Sequence, residues 1–124
     1  MISLIRGYKV RKKLNSLILQ LGQVDNQIIK EDYLQLYDVY LKLSEKHQQN
    51  FFSRMVKIRE FVEQEIANDK KMEVLLGRVN HGDYEDQEKN FHKFEETYQT
   101  LSKVLQDKYY TDIVHLRERL SSGR

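Results

Sequence analysis

Five cations fall within LIRGYKVRKKL, residues 4–14: Arg6, Lys9, Arg11, Lys12 and Lys13, grouped around Gly7 and Tyr8. The chemistry open to such a set is recognition rather than bond-making. Arginine offers a rigid fork of donors to carboxylates, and lysine a mobile point charge. Ile2, Leu4 or Ile5, Val10 and Leu14 supply apolar anchors between the charges at helical spacing, and Gly7 lets another backbone come close. Arg6 and Arg11 lie about 140° apart around a helix, so they straddle Gly7. Residues 1–24 carry five positive charges and no acid; with a net charge of +2 for the chain, the remainder carries −3. That asymmetry points to an anionic partner for the first helix.

No comparable set points to catalysis. The four histidines, His47, His81, His92 and His115, form no pair three or four apart, so neither a metal site nor a cofactor is expected. The acid pairs Glu63–Glu65, Glu85–Asp86 and Glu95–Glu96 read as solvated helix faces, and no phosphate-cradling glycine loop or nucleophile elbow occurs. The chain is therefore read as non-enzymatic. Cysteine is absent, which removes disulfides and thiol catalysis and fits a reducing compartment. No apolar run approaches the ~20 residues that span a bilayer. Tyr33, Tyr37 and Tyr40 share a helix face and read as the edge of a core, with an aromatic groove for a partner helix as the functional alternative.

Arg6, Gly7, Arg11 and Leu14, with Tyr8 after the glycine, resemble the second half of an IQ motif. The family's opening aliphatic and Gln fall on Met1 and Ile2, so the Gln is missing. The resemblance covers residues 1–14. It implies that Ile2, Ile5, Arg6, Gly7, Val10, Arg11, Lys12, Lys13 and Leu14 bind calmodulin or a calmodulin-like EF-hand light chain. The missing Gln lies where the family's helix is gripped by the C-terminal lobe, which points to a one-lobe or calcium-dependent contact. The same residues allow two rivals: a basic amphipathic helix on an anionic membrane, and phosphate contacts to nucleic acid. The second is the weaker, because the other helices are net acidic.

The elements that must hold this stretch are helical. There is no proline and glycine is sparse, while charged residues reach 32% and hydrophobic residues 40%, the balance of amphipathic helices with wet outer faces. Val10, Leu14, Leu17, Leu21, Val24 and Ile28 step by fours and threes, a heptad seam predicting one helix over about 2–30. KED, residues 30–32, reads as a break with Asp32 as the next cap. A second helix is predicted over about 32–79, kinked or broken near Ser44–Asn50, and NHGD (Asn80–Asp83) as a turn with Asp83 capping a third helix over about 84–120. No fixed-period internal repeat is read. The expected product is an all-α single domain, an antiparallel helical bundle or folded coiled coil of three long helices. Its expected role is a cytoplasmic adaptor, cytoskeleton- or membrane-associated, that recruits an acidic partner. A membrane-surface protein and a purely structural coiled-coil subunit are the alternatives. Homo-oligomerisation is expected through the Val10–Ile28 and Phe91–Leu105 seams.

Overall fold

The computed structural model describes residues 2–122, apart from the side chains of residues 2, 3 and 84. These residues are all-α: α1 (Ile2–Gln20), α2 (Asn26–Leu41), α3 (Glu45–His81), α4 (Tyr84–Gln99) and α5 (Lys103–Ser122). Five helices replace the three expected, and each difference has a local cause. The first helix stops at Gln20, ten residues before Lys30. Gly22 takes φ 77° there, a left-handed conformation that glycine adopts at no steric cost, and the Val24 N–H closes on the Gln20 carbonyl. Asp25, not Asp32, caps the next helix, its carboxylate accepting from the Gln27 N–H at 2.8 Å. Lys30–Asp32 lies inside α2.

The break expected near Ser44–Asn50 falls over 42–44, and the chain is helical from Glu45 to His81. The turn expected at Asn80–Asp83 is confined to Gly82 and Asp83, since α3 runs through His81, and Asp83 caps α4 as expected, accepting from the Asp86 N–H. The third predicted helix is interrupted over 100–102, without glycine or proline.

The chain forms two compact units, Met1–Glu65 and Ile66–Arg124, with α3 lending residues to both. In unit 1, Val10, Leu14 and Leu17 of α1 bury against Ile29, Leu36 and Tyr40 of α2, and against Phe51, Met55 and Ile58 of α3. In unit 2, Met72, Leu75 and Val79 of α3 bury against Phe91 and Phe94 of α4, and against Tyr109, Ile113 and Leu116 of α5.

These units are copies of one plan, which overturns the reading that no repeat is present. A step of 58 positions, that from cap Asp25 to cap Asp83, carries α2 onto α4 and the start of α3 onto the start of α5. Leu14 falls on Met72, Leu17 on Leu75, Leu36 on Phe94, Phe51 on Tyr109 and Ile58 on Leu116, and every one is buried. The corner after the second helix is the clearest copy. Tyr40, Leu43, Ser44 and Gln48 recur as Tyr98, Leu101, Ser102 and Gln106. The Leu43 N–H donates to Tyr40 O, and the Leu101 N–H to Tyr98 O. Each serine hydroxyl accepts from the N–H three residues on, at 3.4 Å, as an N-cap does. Each glutamine amide reaches back across the break: Gln48 Nε2 to the carbonyls of Leu41, the last residue of α2, and of Leu43, and Gln106 Nε2 to the carbonyl of Tyr98 in α4. That side-chain bonding supports a helix end without glycine, by giving carbonyls at the end of the helix a further donor.

Candidate functional site

The basic stretch lies on α1 of unit 1, and its residues divide between core and surface. Val10 and Leu14 retain 1% and 0% of their surface. They belong to the hydrophobic core, so they are not the exposed anchors expected of them. The seam breaks phase after α1: Leu21 and Val24 pack against the core edge, and Ile29 is buried where Ile28 was expected. Most of the seam proposed for self-association is thus covered within unit 1. Ile2 lies outside the described side chains.

Gly7 is buried beneath His47: a Cβ there would sit 3.0 Å from the His47 ring. Its close approach is to α3 of the same unit rather than to a partner. Beyond it the His47 ring stacks on Phe51. The Arg11 and Arg54 guanidiniums each lie 5.9 Å from the Phe51 ring centre, within cation–π range.

Over residues 4–14, those that face water are Leu4, Ile5, Arg6, Tyr8, Lys9, Arg11, Lys12 and Lys13. Arg6, Lys9 and Lys13 form one wall of an open groove of about 340 Å³ between α1 and α2. Val39 supplies the exposed apolar surface, buried Val10 and Leu36 form the floor, and Asp32 and Gln35 complete the α2 side. Asp32 approaches Lys13 Nζ at 3.7 Å, a surface pair worth ~0–1 kcal/mol, while among the described residues Arg6 and Lys9 form no ion pair.

Family models, curated proteins and solved structures give no match to this chain. The site therefore rests on its own geometry: an apolar trough edged by cations, suited to holding an acidic amphipathic segment. Reasoning from the sequence singled out the α1 cations but missed Asp32, Gln35 and Val39. Their facing position depends on how α2 packs on α1, which no spacing within α1 reveals. It also missed Lys70, Lys71, Val74 and Arg78, although that i, i+1, i+4, i+8 spacing on one helix was legible. No described helix is long and apolar enough to cross a membrane.

Proposed function

We propose that the chain is a non-enzymatic helical interaction module whose α1–α2 groove receives an acidic helical segment of a partner protein. The observation carrying this reading is the groove itself, in which Arg6, Lys9 and Lys13 edge the exposed side chain of Val39 above a floor of buried Val10 and Leu36. An antiparallel α1–α2 pair is the scaffold it assumes. A calmodulin-like EF-hand protein supplies the required acidic helices. With Val10 and Leu14 in the core, its contact is docking along the groove, not engulfment of α1. The test is calorimetric titration of the full chain with calmodulin, with and without calcium, beside the Arg6→Glu/Lys9→Glu variant. Micromolar binding weakened about tenfold by the double reversal supports the reading. Binding indifferent to the reversal, or no binding, removes it.

A second reading has its own observation. Leu4, Ile5 and Tyr8 leave 67%, 55% and 65% of their surface in water beside Arg6 and Lys9, the pattern of a helix that inserts apolar side chains into an anionic membrane surface. Binding to phosphatidylserine vesicles without a protein partner, abolished by Leu4→Asp/Ile5→Asp, would favour it over groove docking.

A further inference from the structure

Unit 2 holds a second groove, of about 600 Å³, between the 66–81 part of α3 and α4. Ala67 and Val74 give it an aliphatic surface above buried Leu75; Lys70, Lys71 and Arg78 edge it on α3, and Lys93 on α4. It is the repeat counterpart of the α1–α2 groove. The 58-residue step carries Lys13 onto Lys71, Gln35 onto Lys93 and Val39 onto Thr97, and all six residues line their respective grooves. Two differences make the second groove the more available to a negative ligand. Asp32, which neutralises Lys13, has neutral Asn90 as its counterpart. Among the described residues Lys70, Lys71, Arg78 and Lys93 form no ion pair, and Glu96 is the one acid lining the groove. Val74 leaves 45% of its surface in water, so the apolar surface is open as well.

We propose that this groove is a second docking site for an acidic amphipathic helix, which makes the chain bivalent for one class of partner. The inference rests on the reading of the first groove but has its own residues. The charge pattern selects the occupant. Lys70 and Arg78 are about 12 Å apart along α3, so they match carboxylates two turns apart on a helix, with Lys93 serving the opposite wall and apolar side chains turned toward Val74 and Leu75. A single nucleic acid strand would need ring surfaces for its bases to stack on, and no aromatic side chain lines the groove. A membrane surface fits a protruding apolar face better than a trough between two helices.

The experiment titrates the full chain with a synthetic amphipathic helical peptide bearing glutamate on its polar face and leucine on its apolar face. Isothermal calorimetry reads stoichiometry, and a peptide with glutamine for glutamate is the control. Two variants are compared with the wild type, Lys71→Glu/Lys93→Glu for unit 2 and Arg6→Glu/Lys9→Glu for unit 1, with circular dichroism confirming that both stay folded. Two peptides per chain are expected, one of them weakened about tenfold by each variant. Val74→Asp is expected to weaken the unit 2 site alone, since its side chain is already half in water. Loss in the unit 1 variant alone overturns the second site and leaves the first. Loss in the unit 2 variant alone overturns the first and leaves the second. Binding that neither variant alters, equal binding of the glutamine peptide, or no binding overturns both. Tighter binding of phosphatidylserine vesicles or duplex DNA at Lys71 and Lys93 than of the peptide also overturns the proposal, by giving the groove a different occupant.

Discussion

Phe51 in unit 1 and Tyr109 in unit 2 stand at equivalent positions, and two of their charged neighbours are inverted in sign. Arg11 and Arg54 lie over Phe51; their counterparts 58 residues on are Asp69 and Asp112. The Tyr109 hydroxyl donates to the Asp69 carboxylate, which also takes the Lys108 ammonium at 2.9 Å. Both rings carry a cation, since the Lys108 ammonium lies 5.4 Å from the Tyr109 ring centre; what differs is that two arginines flank the ring in unit 1, whereas an acid takes the phenol in unit 2. The helix packing fixes where an aromatic ring must sit. It leaves open the charge beside it, because that charge lies at the margin where water and a partner side chain both reach. The grooves differ in the same manner, since exchanging Asp32 for Asn90 leaves the second with less internal neutralisation. Shared apolar positions therefore carry the fold of each unit, and the marginal polar positions carry whatever distinguishes them.

The strongest test of this comparison is truncation at paired core sites. Leu14 and Met72 are equivalent and both fully buried. Leu14→Ala and Met72→Ala should each cost ~2–5 kcal/mol. Hydrogen exchange should localise the loss of protection to residues 2–65 in the first case and 66–122 in the second. Loss spread evenly over both units in either variant would break the picture of two separate cores.

The corners offer a finer comparison. Gln48 Nε2 bonds two carbonyls and Gln106 Nε2 one. With a net value of ~0.5–1.5 kcal/mol per hydrogen bond, Gln48→Ala should lower stability by about twice as much as Gln106→Ala in urea unfolding. Equal costs would show that the shared corner does not depend on these amides.

Next comes the charge inversion. Burial first, and then the bond to Asp69, raise the Tyr109 pKa above the ordinary phenol value. In the unfolded chain the phenol ionises near 10. The native state keeps its proton above that pH, so the contribution of Tyr109 is complete below pH ~10 and is lost as pH rises further. Tyr109→Phe, which installs the residue of unit 1, should cost ~1 kcal/mol at neutral pH. It should also flatten the fall in stability above pH 10, measured by urea unfolding across pH 8–11. An unchanged alkaline slope would mean that the phenol does not carry the difference.

The smallest effect separates two helical glycines. A Cβ on Gly77 meets nothing within 4 Å, so Gly77→Ala should raise stability by ~0.5–1 kcal/mol through helix propensity. Gly7→Ala should give no such gain, because its Cβ would press on the His47 ring at 3.0 Å. Thermal melts of the two variants read this directly, and an equal gain would show that the α1–α3 contact is looser than described.

The sequence by itself determined that nearly every residue is helical, that a turn ends at Asp83, which caps the next helix, and that the cations gather on the first helix. Missing proline, cap chemistry and apolar period are local properties, and local properties are written in order along a chain. Tertiary structure decided the rest. A heptad period runs unbroken through Val24 to Ile28, yet a left-handed Gly22 resets the phase and buries Ile29 instead. The break at Thr100–Ser102 has no glycine or proline to announce it; it is held by a glutamine side chain eight residues from the carbonyl it satisfies. The repeat is faint in the sequence because many core equivalences are Phe for Tyr, Met for Ile and Leu for Phe, exchanges that a packed helix face tolerates; identity survives chiefly at the corner, where Tyr40, Leu43, Ser44 and Gln48 recur, a match too sparse to define a period. Val10 shows the limit most plainly. Its spacing beside Arg6 and Arg11 fits a binding helix or a core helix equally well. Only the packing of α2 and α3 against α1 removes it from water and leaves Lys9 and Arg6 outside, because a helix's period defines an apolar face but not what comes to cover it.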